Sequence, residues 1–312
     1  MTIEIFLEPG KVYTWAEFVK QKPNYSIALD GIVSGSTKRK LKGPYVNFDH
    51  HKFVDRTSTR CTSEQVHIEI NLGLFKTFRK DGLPNANVFI NDIDEDVCLA
   101  VWLLKNFERV EGHAEPLINK LVYIEDRLDA TAGAYPFGLV AIRRQMAWMF
   151  EPYQQARFDG RLRSASIGEM KLIVENVGNR ITDYTLGKAQ EIPLLGNFER
   201  LGGGENWTLL KETGPAARIA MYEAGIDAFI SYLGPRKTEG MHDYVIGKRS
   251  VWIPFPIKKL IQALNAADKS ISKENEWGGS NTIGGSPRAT GSSLTPAEVE
   301  DIVNKTIGAK DV

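Results

Sequence analysis

The sequence predicts an α/β fold built on a mostly parallel sheet. Three short β-prone segments, residues 25–30, 44–49 and 86–91, each end in an aspartate or lead directly into one. Segments with helical periodicity, residues 61–78 and 97–107, lie between and after them. Strands that alternate with helices are typical of parallel sheets, and such sheets bind ligands at the carboxyl ends of their strands.

The next elements follow in chain order from local signals. Acidic residues precede the helix at 97–107, as the N-terminus of a helix prefers. Residues 117–124 lead into a second acidic stretch, which places Asp126 in the same kind of position as the aspartates at strand ends. Residues 156–188 form a polar segment with helical character, which we predict to connect two domains. Residues 201–204, a leucine and three glycines, predict a hinge or turn.

A second α/β unit is predicted in the last third of the chain, and 312 residues suffice for two cores. Thr295 is suited to cap a final helix that begins with Pro296. The other predicted elements are a strand at 208–211, a helix at 216–224, strands at 228–233 and 244–253, and a helix at 257–268. The predicted organisation is an N-terminal parallel-sheet domain at 1–190, a linker at 191–206 and a smaller α/β domain at 207–312.

Composition is typical of an ordinary globular protein. Apolar residues make up 42%, charged residues 25%, and the formal net charge is zero, so no global field attracts nucleic acid or an anionic membrane. Cys61 and Cys98 are too few for a four-cysteine or Cys2His2 zinc site, and their scarcity fits a reducing compartment. Neither a signal-peptide pattern nor an apolar run of about 18 residues occurs. We therefore expect a cytoplasmic protein that does not bind membranes.

The stretch VNFDHH places Asp49, His50 and His51 in a row at the end of a predicted strand. Two divalent cations require several carboxylates, and histidine nitrogens shift the preference from Mg²⁺ or Ca²⁺ toward Mn²⁺. A single aspartate at a strand end more often caps a turn or helix, whereas adjacent histidines have no routine packing role. Because such residues end several predicted strands, we favour a metal site. The candidate residues are Asp30, Asp49, His50, Asp94, Asp96 and Asp126.

Two segments together, IALD ending at Asp30 and VNFDHH ending at His51, resemble the DHH phosphoesterase superfamily. The helix that begins near Cys61 is similar to the one that follows the triplet in this superfamily. The segment YIED, ending at Asp126, resembles its last ligand aspartate. Members include RecJ-type single-strand exonucleases, nano-RNA phosphatases, cyclic-dinucleotide phosphodiesterases and, more distantly, manganese pyrophosphatases.

The resemblance implies a DHH-type catalytic domain with two ions, Mn²⁺ or Mg²⁺. In this domain Asp30 bridges the ions, Asp49 orients a histidine, and His51 contacts the phosphoryl group or protonates the leaving oxygen. Asp49 and His51 are thus the implied catalytic residues. The implied metal ligands are Asp30, His50, Asp94, Asp96 and Asp126.

The chain departs from the superfamily in its first motif. An HxxPDxDA motif normally precedes the triplet, and nothing ahead of Asp30 supplies it. The nearest match is the strand that leads into Asp94 and Asp96, which lies after the triplet. Either the strand order is permuted, or part of the ligand set is missing.

The C-terminal segment resembles the DHH-associated substrate-binding domain. Its hallmarks are an Arg-Ser pair and a glycine-rich loop, in which Ser286 replaces the usual histidine. Residues 278–293 could alternatively be a flexible linker, and the six basic residues between 236 and 260 could be a solvated face. The implied substrate-binding residues are Arg249, Ser250, Gly284, Gly285, Ser286 and Arg288. Five aromatic residues could stack a nucleobase, although packing is their commoner role: Tyr13, Trp15, Tyr45, Trp252 and Trp277.

These observations predict a metal-dependent phosphohydrolase that cleaves a small phosphorylated substrate. Nucleotides, short oligonucleotides and phosphoanhydrides are the candidate substrates. A homodimer is compatible with the sequence. The alternative is a DHH-like protein that binds such a ligand without turnover. Two departures from the superfamily favour this alternative: Ser286 replaces a histidine, and the histidine of the HxxPDxDA motif is missing. The zero net charge disfavours a nuclease that tracks along a long strand.

Overall fold

The computed structural model describes residues 2–52, 54–133, 135, 137–138, 140–214, 216–272 and 275–308. The chain forms two compact units. The first unit comprises Met1–Ala130, Leu139–Tyr153 and Ala165–Ile192, and the second comprises Thr131–Gly138, Gln154–Ser164 and Pro193–Val312. Two sheets and eleven α-helices within the described residues make the fold mixed α/β, as the alternation of strands and helices predicted.

The first unit contains a six-stranded sheet whose central strands are parallel. Its path is β1-β6-β2-β4-β3, and β5 pairs with β6. Four neighbours, β1, β6, β2 and β4, run parallel, whereas β3 and β5 are antiparallel additions. The strands are β1 (Thr2–Leu7), β2 (Ser26–Leu29), β3 (Lys38–Lys40), β4 (Tyr45–Phe48), β5 (Arg79–Lys80) and β6 (Leu83–Ile90).

Helices cover this sheet and carry several of the candidate residues. The predicted helix at 97–107 is confirmed: Asp94 caps it by accepting a bond from the Val97 amide at 3.0 Å. The helices that begin in the first unit are α1 (Trp15–Gln21), α2 (Thr62–Asn71), α3 (Leu74–Thr77), α4 (Glu95–Lys105), α5 (Phe107–Val110), α6 (Pro116–Ala130), α7 (Val140–Phe158) and α8 (Ile167–Thr185).

The prediction that Asp126 follows a strand is wrong. Residues 117–124 belong to α6, and Asp126 lies inside this helix. The buried positions Ile118, Leu121 and Val122 recur at helical spacing, which a short apolar segment does not distinguish from a strand by itself.

The second unit contains a mostly antiparallel sheet in the order β11-β12-β10-β9-β8-β7. Among the described strands of this second sheet, only β8 and β9 pair in parallel. The strands are β7 (Phe198–Gly204), β8 (Trp207–Glu212), β9 (Ala228–Pro235), β10 (His242–Lys248), β11 (Gly278–Gly279) and β12 (Ile283–Gly285). The helices are a 3-10 turn (Arg161–Ser164), α9 (Ala217–Glu223), α10 (Ile257–Ala267) and α11 (Pro296–Gly308).

Three predictions for this unit need correction. Residues 201–204 are not a hinge but part of β7, where their glycines pair with β8. The strand predicted at 244–253 ends at Lys248. The glycine-rich segment is not a flexible linker at 283–285, because β12 pairs with β10 on one side and with β11 on the other. The part of the chain described contains no helix with both the length and the apolar character to cross a bilayer.

A buried carboxylate organises the glycine- and serine-rich segment of the second unit. Asp268 is 4% exposed and accepts bonds from the Ser270 hydroxyl at 2.6 Å, the Ser292 hydroxyl at 2.6 Å and the Trp277 indole at 2.9 Å. Burial by itself raises the pKa of Asp268, but these bonds lower it more, and the net pKa is far below the usual range. Asp268 therefore ties Ser270, Trp277 and Ser292 to the end of α10.

We predict that Asp268→Asn loosens this segment. Both carboxylate oxygens of Asp268 accept hydrogen bonds, and the amide nitrogen that replaces one of them cannot accept any. The expected loss is about 1.5–3 kcal/mol of local stability, the range for hydrogen bonds to a charged group. Hydrogen–deuterium exchange of peptides covering 268–294 should be faster in the variant. Asp301→Asn is the control, because Asp301 is exposed and pairs only with Lys305 in the described part of the chain. Equal exchange in both variants would contradict the assignment.

The same carboxylate gives the segment a defined pH dependence. The pKa of Asp268 is lower in the folded protein than in the unfolded chain, where an aspartate titrates near pH 3.9. Its stabilising contribution is thus complete above about pH 4–5 and is lost as the pH falls further. Protection of this segment from hydrogen–deuterium exchange should decrease below about pH 4 in the wild type. In Asp268→Asn this protection should change less with pH.

Candidate metal centre

Three acidic segments meet at one edge of the first sheet. Asp30 follows β2, the Asp49–His51 triplet follows β4, and Asp94 and Asp96 follow β6. Because β6, β2 and β4 are neighbouring parallel strands, their carboxyl ends lie side by side. Asp30 has a φ of 52°, in the left-handed region, a conformation uncommon outside glycine and concentrated at functional sites. Asp30 thus leaves the strand in a sharp turn.

His50 lies at the centre of the cluster. Its Nε2 atom is 3.0 Å from Oδ2 of Asp129, 3.4 Å from Oδ1 of Asp30 and 3.8 Å from Oδ2 of Asp96. The side chain is 1% exposed, and its Nδ1 atom has no hydrogen-bond partner among the described residues. One imidazole nitrogen is therefore within reach of three carboxylates from three different elements.

His51 and Asp49 form a second pair beside Asp30. Oδ1 of Asp49 accepts a bond from the His51 amide at 2.7 Å and lies 3.1 Å from Nδ1 of the same residue. This Nδ1 atom is also 3.3 Å from Oδ1 of Asp30. The His51 side chain is 28% exposed, so solvent reaches it although it does not reach His50. Asp49 therefore orients the accessible histidine of the pair.

The N-terminus of α2 holds two of the carboxylates. The amides of Thr62 and Ser63 donate to the two oxygens of Asp96, each at 2.7 Å. The Thr62 hydroxyl donates to Oδ1 of Asp30 at 2.9 Å. Free amides and the helix dipole favour negative charge at this end of a helix. The helix predicted after the triplet thus positions the acidic residues of the cluster.

Asp129 is the site residue that the sequence reasoning missed. Its position two residues after Arg127 predicts an ion pair with Arg127 or a turn cap. Instead, Nη2 of Arg56 is 2.9 Å from each of its carboxylate oxygens, and Oδ2 also faces His50. Asp126 and Asp129 are three positions apart on α6 and hence on one face, which was the available signal.

Among the described residues, Asp126 and Asp94 lie outside the two groups that could hold an ion. Asp126 accepts bonds from the Cys61 amide at 2.8 Å, Arg60 at 3.0 Å and Arg127 at 2.6 Å. Asp94 is occupied with capping α4. The two groups of ligand atoms, each within 4.8 Å of one another, are Asp30, His50 and His51, and His50, Asp96 and Asp129.

Several carboxyl groups in and around the cluster have raised pKa values. Burial, followed by the charges of Asp129 and Asp30, raises the pKa of Asp96. Burial and the acidic neighbours raise the pKa values of Asp94 and Glu125 well above the usual range. Burial lowers the pKa of His50, but the interactions with Asp129 and Asp30 together outweigh burial, and the net pKa is raised. A bound cation would lower the free energy of every carboxylate in the cluster.

The six residues predicted to bind substrate are in the second unit, and most have structural partners there. Arg249 lies 3.4 Å from Asp227, and the Ser250 hydroxyl accepts from the Trp252 amide at 3.3 Å. Gly284 and Gly285 are in β12. A Cβ on Gly284 would lie 2.6 Å from the Gly278 carbonyl oxygen. Close strand packing is therefore one reason for glycine at this position.

The last two predicted residues follow β12. The Ser286 hydroxyl accepts a bond from the Tyr244 amide at 3.0 Å. The Arg288 carbonyl accepts one from Arg236 at 2.9 Å. Both bonds connect the end of β12 to the region around β9 and β10.

Comparison with known proteins identifies no relative. No protein-family model, no curated protein and no solved structure matches this chain.

We predict that Asp129 and Asp126 differ in their effect on ion binding. Asp129→Asn removes an oxygen beside His50 and should weaken Mn²⁺ binding at least about tenfold, the effect typical of disrupting a metal site. Asp126→Asn is the matched control on the same helix, and the affinity should stay within about threefold because Asp126 lies outside both groups of possible ligands and accepts from Cys61, Arg60 and Arg127 instead. Electron paramagnetic resonance of free Mn²⁺ measures both affinities. The reverse order would show that Asp126 is the ligand.

Proposed function

We propose that this protein is a metal-dependent phosphohydrolase of the DHH phosphoesterase type. Its substrate would be a small phosphorylated molecule, namely a nucleotide, a short oligonucleotide or a phosphoanhydride. The observation that carries the proposal is the position of His50, whose Nε2 atom lies 3.0–3.8 Å from carboxylate oxygens of Asp30, Asp96 and Asp129. Carboxylates around an imidazole are the donor set of a Mn²⁺-type site.

The residues present form two overlapping groups of possible ligand atoms. His50 with Asp96 and Asp129 would hold one cation, and because Nε2 of His50 has a single lone pair, a second cation beside Asp30 would need a donor other than this nitrogen. Divalent cations in such a site lower the pKa of bound water and neutralise phosphoryl oxygens. Mn²⁺ fits best because nitrogen donors are present, and Mg²⁺ is the alternative.

His51 is suited to proton transfer at the substrate. It is the more accessible histidine of the pair, 28% exposed against 1% for His50. Asp49 fixes its ring by accepting from its amide and lying 3.1 Å from Nδ1. A positioned imidazole can donate a proton to a leaving oxygen or a hydrogen bond to a phosphoryl oxygen. We therefore assign these contacts to His51.

A second candidate function is ligand binding without hydrolysis. Arg56 favours it, because its guanidinium neutralises Asp129 and leaves less negative charge for a second cation. Ser286 also favours it, since it stands where the superfamily has a histidine and its hydroxyl accepts from the Tyr244 amide. Ion binding in the wild type without turnover would support this candidate.

We predict Mn²⁺-dependent cleavage of bis(p-nitrophenyl) phosphate by the wild type. His50→Ala and Asp30→Asn should each lower kcat at least about 100-fold, because each removes a donor from the cluster. The release of p-nitrophenol at saturating Mn²⁺ measures the rate, and Mn²⁺ binding is measured in parallel.

His113→Ala is the matched control, since His113 is an exposed histidine. Its turnover should equal that of the wild type. If His50→Ala and Asp30→Asn retain full turnover, the catalytic assignment is wrong whatever the control does.

A further inference from the structure

Trp252 is the most exposed of the five aromatic residues that could stack a base. Trp252 is 89% exposed, whereas Trp277 is 1% and Tyr45 is 6% exposed. Tyr13 and Trp15 are half-buried and pack on the core around Phe18. Trp252 lies in the segment between β10 and α10, within the second unit.

A buried ammonium group holds this segment in place. Lys248 is 9% exposed, and its Nζ atom donates to the Val251 carbonyl at 3.2 Å and to the Ile253 carbonyl at 3.0 Å. These carbonyls belong to the residues on either side of Trp252. Burying an ammonium group is costly unless its donors are satisfied, so the two bonds strongly favour this backbone conformation.

Further bonds complete the turn. The Trp252 amide donates to the Ser250 hydroxyl at 3.3 Å, and the Ile253 amide donates to the Ser250 carbonyl at 3.1 Å. Phe255, 2% exposed, anchors the following residues in the core. The indole therefore projects from an ordered turn, so a ligand that stacks on it has little loop ordering to oppose binding.

The sequence on both sides of Trp252 contains basic residues. From residue 249 to residue 260 the sequence contains Arg249, Lys258 and Lys259 and no acidic residue. Arg249 is paired with Asp227 at 3.4 Å, but both side chains are more than 40% exposed. Such surface pairs contribute little and can exchange for another anion. The segment thus combines one aromatic face with cations that can bind phosphate.

We propose that the turn presenting Trp252 is a base-stacking site for a short single-stranded oligonucleotide. The indole stacks on one base, and Arg249 and Lys258 contact the adjoining phosphates. A membrane surface fits less well, because anchoring scales with buried apolar area. Beside the indole, the exposed apolar residues from 249 to 254 are Val251, which is 38% exposed, and Pro254. The inference rests on the proposed function in one respect, since it names the substrate of the phosphoesterase site.

The test compares stacking with general apolar contact. A fluorescein-labelled five-nucleotide oligothymidylate is titrated with the full chain in EDTA, so that cation-dependent cleavage is absent, and anisotropy gives the Kd. Trp252→Leu keeps an apolar side chain but loses the aromatic face, and we expect binding about tenfold weaker. Trp252→Phe restores an aromatic ring and should bind within about threefold of the wild type.

An abasic pentamer with the same phosphates is the ligand control. It should bind the wild type and both variants equally, because it has no base to stack. Equal binding of oligothymidylate by Trp252→Leu and the wild type would overturn the proposal. It would also be overturned if Trp252→Leu lost as much affinity for the abasic pentamer as for oligothymidylate. Binding to phosphatidylcholine–phosphatidylserine vesicles that depends on Trp252, with no effect on oligothymidylate, would assign the turn to membranes instead.

The two proposals fail separately. If bis(p-nitrophenyl) phosphate is not cleaved but the Trp252 variants keep the predicted order of affinity, the phosphoesterase proposal fails and the base-stacking site stands. If cleavage depends on His50 but the Trp252 variants bind oligothymidylate equally, the base-stacking site fails and the phosphoesterase proposal stands.

Discussion

The parallel pairing of β6, β2 and β4 is the constraint on which the candidate metal centre depends. Adjacent strands are about 4.8 Å apart, so residues just beyond their carboxyl ends are close enough to share a ligand. The bond from the Asp30 amide to the Phe48 carbonyl, 2.9 Å long, continues the β2–β4 ladder past the end of β2. A shift of one residue in this ladder would turn Asp30 or His50 to the opposite face of the sheet.

The second requirement of the site is a balance of charge. Desolvated carboxylates repel one another, and the fold offsets this with the amides at the start of α2 and with the guanidinium of Arg56. The offset is incomplete: burial, followed by the acidic neighbours, still raises the pKa values of Asp94, Asp96 and Glu125. A divalent cation would stabilise the charged form of such carboxyl groups.

Buried charges in the second unit hold backbone in place instead. Asp268 is surrounded by hydroxyl, indole and amide donors, and Lys248 by two carbonyl oxygens. Both groups reach enough protein partners to satisfy them, and each fixes an irregular segment to the sheet or to α10. Similar chemistry thus serves two purposes: a charged group with enough protein partners stabilises a loop, whereas one with too few is available to a ligand.

The sequence by itself determined the alternation of strands and helices and the meeting of Asp30, His50 and Asp96, because strand ends in a parallel sheet share one edge. Helical spacing places Asp126 and Asp129 on one face of α6, and only the tertiary structure shows that Oδ2 of Asp129 lies 3.0 Å from His50 whereas Asp126 accepts from the Cys61 amide. Tertiary structure also decided that Gly284 lies in a strand and that Trp252 is exposed. Strand pairing and burial depend on partners distant in the chain, which local sequence patterns do not specify.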